Sequence, residues 1–320
     1  MNTQIKLAII AIAIVIPLAS LAITQTNSPS NNSTNENSKL QVVASATFLY
    51  EFSQNIGKEM IDVTLLVPMG ADPHDWEPTI RDTERLQKAD MIIVNGIGYE
   101  HWLNSLELSD IAGILVDTSN GISTLDSANH DEEKHDDHAK EDGHDDEDNH
   151  NHGVLDPHIW LNPVFAQLQV KNIANALSNS DPTNKNYYQS NAAIYNQKLN
   201  LLDTKIRTEL SGCKTDFITF HDAFSYFSEE YGLTQHTIIS SIDSHGEVTP
   251  KTLENIISLA RELNIKVIFA EENTSTKTSQ VIADEIGGKV LVLSPLEIVS
   301  DETYVEKMTQ NLESLKDALC

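Results

Sequence analysis

Phe217-Ile218-Thr219-Phe220-His221-Asp222-Ala223-Phe224 sets a short β-rich run directly before a histidine. The run does not alternate apolar with polar residues, which suits a strand buried on both faces of a parallel sheet. Similar runs lie at 40–44, 63–67, 91–94 and 114–116 before it, and at 237–239, 267–269 and 290–293 after it. Helical patterns separate them, as at 82–88 and 252–263. This order predicts an α/β chain of two doubly wound lobes with mainly parallel sheets. Asp181-Pro182 reads as a helix start with proline in its first turn. Tyr188, Ala192, Tyr195, Leu199, Leu202 and Ile206 then recur at spacings of four and three, and Gly212 closes the pattern. A helix over 182–210 would be about 43 Å long, a rigid strut between lobes. The expected boundaries are an N-terminal lobe at 40–180, the linking helix at 181–211 and a C-terminal lobe at 212–320.

A chain of 320 residues, 40% hydrophobic, can bury two cores. Its net charge of −27 argues against a nucleic-acid partner and suits cations. Residues 7–23 are apolar apart from Pro17 and Ser20, and Lys6 precedes them. As a helix they would reach about 25 Å, a little short of a ~30 Å hydrocarbon core. Residues 1–23 are therefore expected to be a signal peptide or membrane anchor. No basic residue follows until Lys39, which places the body on the exported side. Residues 24–39, rich in Asn, Ser and Thr, read as a flexible tether. The expected location is extracytoplasmic, membrane-tethered or secreted. Export permits a disulfide between the two cysteines, Cys213 and Cys320, but the sequence leaves their pairing open.

Four residues then stand out as metal ligands. His74 and His158 end two copies of Asp-Pro-His, at 72–74 and 156–158. His221 follows its strand directly, and Glu297 follows the run at 290–293 through Ser294-Pro295-Leu296. Ligands of open α/β sheets bind outside the carboxyl ends of the strands. The expectation is a four-coordinate site in the interlobe cleft, with His74 and His158 from one lobe and His221 and Glu297 from the other. Three imidazoles and a carboxylate favour zinc, whereas manganese prefers more oxygen donors. Asp72, Asp156 and Asp222 are placed to orient the imidazoles. Singly, each feature has a plainer reading: Asp-Pro-His as a turn, His221 as a satisfied strand-end histidine, Glu297 as a surface carboxylate. Trp76, Trp102 and Trp160 read as packing residues, and His101, His236 and His245 as structural or surface groups.

Residues 130–152 differ in kind. They hold six histidines, eleven acids and two lysines, −9 of the total charge. Such a tract cannot bury a core and is expected to be a disordered loop that captures ions weakly.

Several longer stretches carry a resemblance. They are Pro68-Met69-Gly70-Ala71-Asp72-Pro73-His74-Asp75-Trp76-Glu77-Pro78, Asn95-Gly96-Ile97-Gly98-Tyr99-Glu100, Asp156-Pro157-His158-Ile159-Trp160-Leu161, His221-Asp222-Ala223-Phe224-Ser225-Tyr226-Phe227 and Phe269-Ala270-Glu271-Glu272-Asn273. With these the chain resembles the zinc/manganese solute-binding proteins of ABC importers. The resemblance implies two lobes, a rigid linking helix, a metal in the cleft, and His74, His158 and His221 as ligands. Manganese members usually carry Glu where this chain has His221, so it resembles the zinc branch, whose members also carry His-rich acidic loops. Glu297 matches zinc relatives that read Pro-Leu-Glu. The chain departs from the family in lacking a lipid-modified cysteine at the end of the apolar run. Its cysteine pair also matches no family pairing. The implied protein is a monomer and not an enzyme: it captures Zn²⁺, rather than Mn²⁺, and passes it to an ABC permease in the membrane. Two alternatives compete. One is a zinc-dependent hydrolase with a coordination position open to water, against which no His-Glu-x-x-His occurs. The other is a metal-binding adhesin or zinc buffer independent of a transporter. Deleting residues 130–152 is expected to lower total zinc stoichiometry in equilibrium dialysis while leaving one tight site. Loss of the tight site would refute this division between loop and cleft.

Overall fold

Leu40–Ala44 (β1) and Met91–Val94 (β3) are apolar almost throughout because they lie side by side in the middle of a sheet. Ile61–Leu65 (β2) and Ile114–Asp117 (β4) flank them in the order β2-β1-β3-β4. The second sheet repeats this order. Asp216–Thr219 (β5) and Val267–Ala270 (β7) are central, with Thr234–Thr237 (β6) and Lys289–Val292 (β8) at the edges, giving β6-β5-β7-β8. The described pairings within both sheets are parallel. The computed structural model describes residues 39–68, 71, 73, 75–105, 111–125, 155–239, 248–272, 276–298 and 300–320. The expected apolar leader, the tether up to residue 38, the acidic tract, Asp72, His74 and His245 lie outside them.

Strands β1 and β3 fall where the sequence predicts them to the residue, β4, β5, β7 and β8 lie within one residue, and the edge strands β2 and β6 are shifted by two or three. The strand expected at 237–239 is β6, at Thr234–Thr237. An edge strand pairs on one side only, so its own residues need not be apolar. Ile238 and Ile239 are buried just past its end, where their N–H groups donate to Thr219 and Phe220. Similarly, β2 ends at Leu65, and Leu66 and Val67 are buried beyond it.

Side-chain caps set several helix starts. Thr79 and Asp82 form a capping box for Ile80–Lys88 (α2), which follows Thr47–Gly57 (α1). Asn162 caps Pro163–Ser180 (α3), with proline in the first turn. Asp181 does not open one unbroken 29-residue helix. It ends α3 and caps a 3₁₀ turn, Pro182–Asn184, and the strut proper is Lys185–Leu210 (α4), about 39 Å long. The second lobe adds Ser225–Tyr231 (α5), Pro250–Glu262 (α6), Lys277–Ile286 (α7) and Tyr304–Leu319 (α8). Among the described residues no helix is long and apolar enough to cross a membrane.

One apolar core runs from β1 and β3 through Tyr188, Tyr195, Leu202 and Ile206 of α4 to Phe217, Phe269 and Met308 in the second lobe. Separate clusters cover the other face of each sheet, around Leu86, Ile92 and Trp102 in the first lobe and Ile218, Ile268 and Ile282 in the second. Both lobes are therefore doubly wound. Cys213 and Cys320 are joined, tying the end of α4 to the end of α8 across a sequence separation of 107. Closing a loop of about 100 residues removes up to about 4.7 kcal/mol of unfolded-chain entropy. Replacing both cysteines by serine is expected to lower the melting temperature of the metal-free protein by roughly 5–10 °C in calorimetry. An unchanged temperature would show that the link adds no stability.

Candidate metal centre

His158 and His221 meet at the seam between the lobes, with ring centroids 5.3 Å apart. Both are almost completely buried. Each is held in the same way. One oxygen of Asp156 accepts the His158 backbone N–H at 2.9 Å and lies 2.7 Å from its Nδ1. One oxygen of Glu271 accepts the His221 backbone N–H at 3.1 Å and lies 2.6 Å from its Nδ1. A carboxylate at Nδ1 favours the proton there and leaves Nε2 as the nitrogen available to a metal.

The loops that carry these groups are themselves anchored. Asp156-Pro157-His158 lies between the lobes: Tyr226 of α5 donates to the Asp156 carbonyl at 2.8 Å, and Asn95 after β3 donates to the Pro157 carbonyl at 2.9 Å. Buried Glu100 in turn takes the N–H of Asn95 and the hydroxyl of Ser45. Burial pushes its carboxyl up to about 7, against those donors. Gly96, at φ 87°, completes this turn, because a Cβ there would lie 2.1 Å from the Asp117 carboxylate. His221 and Glu271 follow the adjacent central strands β5 and β7, where the chain crosses from one side of the sheet to the other.

Glu297 reaches the cluster from beyond β8. Its Oε1 lies 3.5 Å from His158 Nε2, and one ligand atom each from His158, His221 and Glu297 fall within 4.8 Å of one another. Ligand atoms about 2.1 Å from a tetrahedral ion stand about 3.4 Å apart, so the His158–Glu297 edge fits one. The described residues thus bring together three of the four expected ligands, and the fourth, His74, lies outside them.

The orienting acids are only partly those expected. Asp156 acts as the sequence suggested. Asp222 instead accepts the Ser225 hydroxyl at 2.8 Å, and Glu271 takes the place proposed for it. Glu271 was visible as an acid at a strand end, but nothing in its spacing linked it to a histidine 50 residues away. Trp160 is more than packing: it stacks on Phe48 with centroids 4.4 Å apart and also donates to the Pro295 carbonyl at 2.8 Å. His236 pairs with Asp216, and His101 is exposed.

Two doubly wound lobes on a helical strut, with imidazoles and a carboxylate converging at their seam, define a solute-binding protein of the metal type. The chain belongs to the family described as zinc-uptake complex component A, periplasmic, whose model matches residues 42–318. It is 42% identical over 290 residues to the high-affinity zinc uptake system protein ZnuA of Bacillus subtilis, covering 88% of each. Among solved structures it is similar to the metal-dependent lipoprotein YcdH of Bacillus subtilis, with 38% identity and a TM-score of 0.73, covering 88% of this chain and 99% of that one. It is also similar to Zn(II)-bound AdcA of Streptococcus pneumoniae, with 29% identity and a TM-score of 0.72; the match covers 88% of this chain but 57% of AdcA.

Burial depresses the His158 imidazole, but the carboxylates of Asp156 and Glu297 outweigh it and push it up to about 10. A folded-state pKa above the ordinary ~6.5 adds stability that is fully present below that value and lost as pH rises toward about 10. In the metal-free protein, ¹⁵N imidazole spectra are expected to show both His158 nitrogens protonated at pH 8. A His158 titration complete by pH 7 would contradict this electrostatic reading.

Proposed function

We propose that this protein captures Zn²⁺ outside the cytoplasm, holds it between its lobes with His74, His158, His221 and Glu297, and delivers it to the membrane permease of an ABC-type importer. The observation that carries this reading is the convergence of two buried imidazoles, each with a carboxylate on Nδ1, on the Glu297 carboxylate. His74, at the end of the first Asp-Pro-His, completes a set of three nitrogens and one oxygen, which suits zinc better than manganese. Four protein ligands saturate a tetrahedral ion and leave no position for a reactive water, so the zinc is cargo and the protein is not a hydrolase. In the absence of metal, the proton on His158 partly balances the surrounding carboxylates, and zinc displaces it.

Competitive titration of the metal-stripped protein tests the assignment. One tight zinc site is expected, with manganese far weaker and a proton released at pH 7–8. Glu297→Ala is expected to weaken zinc at least ~10-fold, and Glu271→Gln by roughly 10–100-fold through loss of its hold on His221. Tight manganese binding, or zinc affinity indifferent to Glu297, would reopen the ligand set.

A further inference from the structure

Glu297 sits on a loop whose position is not set by its own backbone preference. Leu296, directly before it, has φ 63°, in the left-handed region that branched residues hold only under outside restraint. Leu296 is also buried. Its N–H donates to the Ser294 hydroxyl at 3.2 Å, and Asn311 of α8 brackets Ser294 from both sides. Those bonds come from within the second lobe. The first lobe adds two more: Trp160 Nε1 donates to the Pro295 carbonyl, and Thr47 Oγ1, in the first turn of α1, donates to the Leu296 carbonyl at 2.9 Å. A pocket of about 550 Å³ opens alongside, lined by Thr47, Leu296, Ile298 and Lys307 among others. Hydrogen bonds from both lobes thus add to the packing that buries Leu296.

We propose that Thr47 is a positioning residue for Glu297: its hydroxyl, reaching across from the first lobe, pins the strained Leu296 and so keeps the Glu297 carboxylate within reach of the ion. This rests on Glu297 being a ligand, as proposed above. Without the hydroxyl, Leu296 can relax and the carboxylate can swing toward the open pocket, so part of the zinc affinity is set by the lobe that does not carry Glu297.

The test is a double-mutant cycle on the full protein, reading zinc affinity by competition with a chromogenic chelator. Thr47→Val removes the donor while keeping the shape, and Thr47→Ser restores it. Given the usual net worth of one hydrogen bond, Thr47→Val is expected to weaken zinc roughly three- to tenfold, with Thr47→Ser within about twofold of the native protein. In a Glu297→Ala background, Thr47→Val is expected to change nothing further. An equal loss in both backgrounds would mean a general structural effect and overturn the proposal, as would no loss in the native background. If Glu297→Ala alone leaves zinc affinity unchanged, the ligand assignment itself fails, and the proposal falls with it.

Discussion

The apolar core along α4 is the constraint on which the rest depends. Tyr188, Leu199, Leu202 and Ile206 are buried in one cluster with residues of both sheets. Opening the lobes widely would expose this surface, at roughly 25 cal/mol for each Å² of apolar area. Polar ties cross the same region. Tyr195 donates to Glu51, Glu51 also takes the Tyr304 N–H, and the Tyr304 hydroxyl donates to the Trp160 carbonyl. A seam held in this way keeps His158, His221 and Glu297 together, so an ion bound by them would cost these groups little ordering entropy.

Electrostatics makes the same seam receptive to a cation. Asp156, Glu271 and Glu297 surround two imidazoles in a region almost closed to water. Burying carboxylates is unfavourable unless positive charge accompanies them. The Asp156 and Glu297 carboxylates favour a proton on His158, which would supply part of that charge in the metal-free protein. A divalent ion held there would supply more and take the proton's place, coupling binding to proton release. The two carboxylate–imidazole pairs differ in their support: Asp156 is two residues from its histidine, whereas Glu271 reaches His221 from the neighbouring strand.

The loop after β8 is tied to both lobes. Its carbonyls bond to Trp160 and Thr47 of the first lobe, and Lys307 of α8 bonds both Glu272 and, at 3.5 Å, the Ile298 carbonyl. Glu272 adjoins Glu271, so the histidine-orienting strand end and the Glu297 loop share one anchor.

Much of this was legible in the chain. Parallel strands buried on both faces must be apolar throughout, which is why β1 and β3 were found to the residue. Strand ends in such a sheet are where ligands bind, which is why His221 and Glu297 stood out as candidates, and the fold brings both beside His158. Two edge strands, β2 and β6, were misplaced by two or three residues, since pairing on one side leaves their composition free, whereas β4 and β8 fell within one. The partner of His221, the cysteine link, the left-handed Leu296 and the bond from Thr47 across a separation of 249 residues were not legible. Sequence by itself determined the period of the elements and offered the candidate residues at their ends, because burial and repeat are local properties written in residue type. Tertiary structure alone decided which acid holds which imidazole and what fixes Glu297, because those contacts exist only once two lobes have closed on one core.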